Sequence, residues 1–186
     1  MRFIETRLKG AYIIEPERLE DERGFFARTF CRKEFKAHGL NPNFVQCNVS
    51  HNKKRGTLRG LHYQAPPFEE AKLVSCIEGA IYDVIIDLRP DSPTYCQWIA
   101  VELTAYSSSH SLQLTADFKM LYIPEGFAHG FLTLMDNTEV FYQISEFYMP
   151  EYARGIRWND PALGIQWPID VIVISEKDKR YHDFTK

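Results

Sequence analysis

The amino-acid sequence predicts a mainly β domain, a barrel or sandwich of short antiparallel strands with a few short helices at its flanks. Three observations support this. Short β-rich runs recur through the middle of the chain and are punctuated by Gly, Pro, Asp and Asn, which is how antiparallel barrels and sandwiches read. Aromatic residues make up 14% of the chain and many fall inside those runs, where flat rings pack well on a pleated surface. A clear helical signal is confined to Arg32 to His38, ahead of Gly39.

In chain order, strands are expected over residues 44–50, 73–77, 81–88, 98–103, 120–123, 131–135 and 140–148. Two-residue alternation in the third of these puts Tyr82, Val84 and Ile86 on one face and Asp83, Ile85 and Asp87 on the other. The carboxylates among apolar neighbours single out that second face. The segments "VELTA" at 101–105 and "LQLTA" at 112–116 flank the polar tract 106–110 and read as a surface hairpin. A second helical piece is expected after Ser175.

At 186 residues, 45% hydrophobic and 25% charged, the chain suits one domain spanning 1–186, long enough to enclose a substantial core. A formal net charge of -3 provides no broad electropositive field, so neither nucleic acid nor an anionic membrane is an expected partner. The first ten residues carry charges throughout, and no apolar stretch approaches membrane-spanning length. A cytoplasmic location is expected. Cys31, Cys47, Cys76 and Cys96 are widely spaced, which argues for reduced thiols over a disulfide framework or a compact zinc site.

Chemistry concentrates first in "RGTLRGLHYQ" at 55–64. Arg59 and His62 stand three apart, so a regular strand sends them to opposite faces; Gly60 between them permits a bulge or turn that relieves the conflict. A histidine titrates near working pH and suits general-base chemistry, whereas arginine grips phosphate through paired hydrogen bonds. The second cluster, "PEGFAHGF" at 124–131, has the Pro-x-Gly-x-x-His spacing of the second cupin motif, with Gly126 turning the chain and His129 presented from the next strand. Metal-binding cupins also need a His-x-His and a carboxylate from their first motif. The matching stretch here reads His62-Tyr63-Gln64. Glutamine is a poor transition-metal ligand, so neither a catalytic metal nor a redox cofactor is expected.

Six blocks then stand in a distinctive order: "DERGFFARTF" at 21–30, "FVQCNVS" at 44–50, "LRGLHYQ" at 58–64, "KLV" at 72–74, "IPEGFAHGF" at 123–131 and "RGIRWNDPALGIQWP" at 154–168. With them the chain resembles the dTDP-4-dehydrorhamnose 3,5-epimerase family from about Tyr12 to Asp178. The resemblance implies a cupin-like double-stranded β-helix, a jelly-roll barrel, acting as a cofactor-free isomerase on a nucleotide-linked 4-keto-6-deoxyhexose. It also implies a homodimer, with an N-terminal strand crossing to the partner's sheet. By the same resemblance, His62 is the proton acceptor and Asp178, in "SEKD", the carboxylate paired with it. Lys177 is a ligand contact, Tyr142 the proton donor, and Tyr148 the residue that stacks on the nucleobase. Arg23, Gln46, Asn48, Arg59, Lys72 and His129 match the remaining substrate-binding positions.

The set is chemically coherent. A ketone at C4 acidifies the protons at C3 and C5, yet an α-proton remains far less acidic than an imidazolium. A gap of about ten pK units costs on the order of 14 kcal/mol, which His62 alone cannot supply. The enolate oxygen must meet fixed donors in a dry pocket, with Lys72 as the cationic candidate. Asp178 holds the imidazole in one tautomer and stabilises its cation. Inversion then needs a proton from the opposite face, which a phenol such as Tyr142 delivers. Arg59 and Arg23 grip the pyrophosphate and so orient the sugar.

The chain also departs from the family pattern. Arg28 stands where the family usually carries an acid, Cys47 replaces Asp, Val49 replaces His, Ser75 replaces Arg and Ala153 replaces Glu. Those positions are expected around the nucleotide and substrate pocket, and the 106–114 insertion is unusual as well. A mono-epimerase acting on a CDP- or GDP-linked 4-keto sugar uses the same trio and is the nearest alternative. A metal-dependent cupin enzyme and a non-catalytic sugar-binding cupin are the others.

Overall fold

A computed structural model describes residues 1–106 and 118–184. The second arm of the expected hairpin, 112–116, therefore lies outside the described residues. The chain opens with β1 (Arg2–Glu5) and β2 (Tyr12–Glu15), then a hairpin of β3 (Arg18–Asp21) and β4 (Gly24–Ala27), and α1 (Arg32–Ala37). The central run is β5 (Gln46–Asn52), β6 (Thr57–Gln64), β7 (Lys72–Glu78), β8 (Ala80–Asp87) and β9 (Trp98–Thr104). It continues with β10 (Met120–Ile123), β11 (Phe127–Thr133) and β12 (Thr138–Ile144), and closes on β13 (Ala153–Gly155), β14 (Val173–Ile174) and α2 (Glu176–Lys179).

Two sheets result. One runs β1-β2-β10-β7-β12-β5, and the other β13-β6-β11-β8-β9 with β14 added beside β6. Neighbours far apart in sequence, joined antiparallel, give the crossed-over connectivity of a jelly roll. The fold is mainly β and cupin-like, as expected, but among the described residues the sheets do not close into a continuous barrel. Among the described residues, β1 and β5 bound the first sheet and β13 and β9 the second.

Strand alternation decides where each apolar side chain goes. Val74, Leu121 and Val140 of the first sheet meet Ile85, Ile99 and Phe131 of the second, forming the inner core. On the outside of the first sheet, Ile14, Leu73, Met120 and Tyr122 pack under Phe35 of α1 and Leu40. Leu61, Val84, Ile86 and Ala128, on the outside of the second, are covered by Ile156, Leu163 and Ile165 from the long C-terminal segment. The two faces read for β8 are realised: Ile85 enters the inner core while Val84 and Ile86 enter the outer one.

Strand β10 has its expected bounds, and β7, β8 and β9 agree within a residue. Three strands shift by more than a residue: β5 spans 46–52 instead of 44–50, β11 spans 127–133 instead of 131–135, because "FAHG" runs on as extended chain, and β12 spans 138–144 instead of 140–148. The expected helices both form. Gly39, at φ +71°, follows the end of α1, and Ser175 caps α2 through Oγ, which accepts from the Asp178 N–H at 3.0 Å. Among the described residues no helix is long and apolar enough to cross a membrane, and all four cysteines are free.

Candidate active site

Strand β6 supplies both residues of the first polar cluster. Gly60 within it has φ +120°. A Cβ there falls 2.7 Å from Gly130 Cα and 2.8 Å from the His129 carbonyl oxygen, so only glycine lets β6 lie this close to β11. The register slips at the same point: His129 pairs with His62, but Phe131 pairs with Arg59. This irregularity turns Arg59 and His62 onto one cavity.

His62 Nε2 lies 2.7 Å from Asp178 Oδ1. The Asp178 side chain is 6% exposed, and Oδ2 accepts from the Gly60 N–H at 3.4 Å. Burial pushes the Asp178 carboxyl up, but the hydrogen bonds and charge of His62, aided by Gly60 and Ser175, outweigh it and hold the group below its ordinary value. With the carboxylate ionised, Nε2 keeps its proton and donates it to the pair. Nδ1 is then the nitrogen with a free lone pair.

Tyr142 comes from β12, paired across Asn48 on one side and Val74 on the other. Burial raises its phenol pKa, with nearby Arg59 opposing the shift, so the group carries its proton at neutral pH. Lys72 opens β7 and forms an ion pair with Glu70 at 3.0 Å, the two side chains 10% and 8% exposed. Glu70 Oε2 is buried without a hydrogen-bond partner. His129 lies 2.5 Å from Asp83 Oδ1 through Nε2, a second histidine–carboxylate pair whose acid is fully buried.

These side chains line two adjoining lobes of about 660 and 280 Å³, a size suited to a small ligand. Both lobes share His62, Lys72, Tyr142 and Lys177. The larger adds Arg59, His129 and Asp178, and the smaller adds Gln46, Asn48 and Tyr148. Every expected catalytic or substrate-binding residue is thus gathered here except Arg23. That side chain is 85% exposed on the β3–β4 hairpin and ion-paired with Asp21, away from the cavity of its own chain.

Three participants escaped the sequence reading of the site. Asp83 was visible as an acid on the inner face of β8, but nothing local tied it to His129, 46 residues away. Glu70 is found by its two-residue spacing from Lys72, which puts both on one side of extended chain. Asn52 accepts from Arg59 Nε at 2.7 Å, a contact that the sequence does not signal. Of the departures from the family pattern, Val49 and Ala153 line the cavity. The other three do not: Arg28 pairs with Glu34 at 3.0 Å, Ser75 donates to the Phe141 carbonyl and Cys47 is exposed. Among the described residues, no three His, Cys, Asp or Glu side chains converge as metal ligands do.

The family model described as dTDP-4-dehydrorhamnose 3,5-epimerase matches residues 5–186. The dTDP-4-dehydrorhamnose 3,5-epimerase of Methanothermobacter thermautotrophicus is 46% identical over 183 residues, 97% of this chain and 92% of that one. A crystal structure of the Bacillus anthracis enzyme with TDP and PPi bound has a TM-score of 0.89 at 40% identity, covering 98% of this chain and 99% of that chain. A Legionella pneumophila dTDP-6-deoxy-D-glucose-3,5-epimerase, in complex with dTDP-4-keto-L-rhamnose, has a TM-score of 0.83 at 38% identity, covering 95% and 89%. A family model matched over nearly the whole length, a relative at this identity and a cavity holding ten of the eleven expected side chains lead to one conclusion: the chain belongs to the dTDP-4-dehydrorhamnose 3,5-epimerase family.

Proposed function

We propose that this chain, as one domain over 1–186, inverts C3 and C5 of dTDP-4-dehydro-6-deoxyglucose to give dTDP-4-dehydrorhamnose. The observation that carries the proposal is the opening of His62, backed by Asp178, and of Tyr142 onto the same two lobes. His62 Nδ1 takes the α-proton, and the electron pair of the C–H bond moves into the C4 carbonyl to form an enolate. Lys72 donates to the enolate oxygen, where a fixed cation in a shielded site is worth far more than in water. Tyr142 then gives its proton to the opposite face of the carbon, and proton exchange with solvent resets the imidazolium and the phenolate. Repeating the cycle at the other α-carbon completes the double inversion. Such a cycle needs no metal or redox cofactor.

Binding follows the same division. Arg59, Lys177, Gln46, Asn48 and His129 offer donors and acceptors to the diphosphate and sugar, and Tyr148 offers a ring face to the base. Arg23 reaches such a ligand only if its hairpin projects into the cavity of a second copy, and a homodimer provides this. Exposed Leu19 and Phe26 on that hairpin support burial against a partner; sedimentation at the mass of two chains is the check. The free thiols suit a reducing compartment such as the cytoplasm.

The test is turnover followed by NMR in heavy water. Deuterium is expected at both C3 and C5; incorporation at one carbon alone identifies a mono-epimerase instead. His62→Ala and Tyr142→Phe should each lower turnover by a factor on the order of a hundred or more while leaving dTDP affinity nearly intact. Wild-type turnover in both variants overturns the proposal.

A further inference from the structure

We infer that Tyr181 is the positioning residue that fixes the Asp178–His62 pair, an inference that rests on the roles proposed for those two residues. Asp178 sits in α2, which spans only four residues. A single turn has little stability of its own in water, so neighbouring structure must hold the carboxylate 2.7 Å from its imidazole. On the N-terminal side, β14 anchors the segment by pairing Val173 and Ile174 with Thr57 and Leu58 of β6. On the C-terminal side the anchor is Tyr181.

Its ring occupies the space above Gly155. A Cβ on that glycine falls 2.1 Å from Tyr181 Cζ and 2.2 Å from Cε2, so any side chain there expels the ring. Gly155 is in turn the β13 residue paired with His62 in the sheet. The same phenol meets the imidazole edge to face, with ring centroids 6.2 Å apart and planes at 72°. Tyr181 thus clamps the end of α2 onto both the histidine and the strand beside it. The ring does this work, since the hydroxyl is buried with no hydrogen-bond partner. Burial raises the phenol pKa, and Lys177 opposes that shift without meeting hydrogen-bond geometry. Tyr181 lines neither lobe of the cavity, so it acts through the pair and not on the ligand.

Three variants of the full chain test this beside His62→Ala. Tyr181→Ala removes the clamp and Gly155→Ala displaces it, so both should lower kcat by about ten- to a hundredfold, as sub-ångström errors in catalytic geometry do. KM and the dTDP dissociation constant should stay within about twofold, since neither residue lines the cavity. Tyr181→Phe keeps the ring and should restore most of the lost turnover. The inference is overturned if Tyr181→Ala or Gly155→Ala turns over like wild type, or if dTDP binding falls in step with kcat. It is equally overturned if Tyr181→Phe is as impaired as Tyr181→Ala, because the hydroxyl is then what matters. An active His62→Ala overturns the proposed function itself, whereas an inactive His62→Ala with an active Tyr181→Ala overturns only the positioning role.

Discussion

Replacing Asp178 by Asn isolates the electrostatic part of the dyad, because the amide has nearly the same shape as the carboxylate. The side chain is 6% exposed and accepts from His62 Nε2 at 2.7 Å, so the hydrogen bond is charge-assisted and shielded. Such bonds contribute about 1.5–3 kcal/mol. If that support strengthens as His62 becomes a cation, its loss slows turnover by about ten- to a hundredfold. The amide adds a second penalty. Where its NH₂ faces the ring, Nε2 must accept and the proton moves to Nδ1, the nitrogen required to take the α-proton, which puts the expected loss at the upper end of the range. The assay is kcat by NMR at neutral pH, with dTDP affinity measured alongside to show that the cavity is intact. A variant within threefold of wild type in kcat would refute the dyad.

Two further perturbations address the scaffold. Burial pushes Asp87 up, yet hydrogen bonds from Arg89, Ser92 and Thr94 hold its carboxyl at about 2. Because that value is depressed on folding, the stability it adds is full above the unfolded value near 4 and is lost as pH falls toward 2. Asp87→Asn should therefore lower neutral stability by about 2 kcal/mol and flatten the stability profile between pH 4 and 2, read by urea unfolding at stepped pH; an unchanged acid limb contradicts the assignment. Gly60→Ala forces a Cβ to within 3 Å of two backbone atoms of β11 at a positive φ. It should cost about 3 kcal/mol and lower the melting temperature by roughly 6–12 °C. A shift under 2 °C shows that the two strands can separate at little cost.

The strands most legible in the sequence were apolar runs bounded by turn residues. Strand β8 alternates cleanly because its two faces meet two different apolar layers, inner and outer. Strand β6 was read as a polar cluster instead of a strand, since Arg59, Gly60 and His62 interrupt the apolar pattern where the cavity replaces core. That interruption marks the site and hides the strand at once. The short strands β2, β13 and β14 form through pairing with distant partners, which local periodicity cannot register. Within the site, residue types and spacing identified His62, Arg59 and His129. The pairs Asp83–His129 and Asp178–His62 join residues 46 and 116 apart, and only the second was accessible, through family resemblance. Arg23 shows the opposite limit, a position matched in sequence whose side chain stays outside the cavity of its own chain.

The short tether of α2 has a thermal consequence. The sheets are secured by long ladders and three apolar clusters, whereas the segment bearing Asp178 is fastened by two strand residues, one helical turn and the ring of Tyr181. Elements with so few buried contacts open locally at a free energy well below that of global unfolding. Warming should therefore release the carboxylate while the jelly roll is still folded, so that the enzyme loses its activity at a lower temperature than its fold.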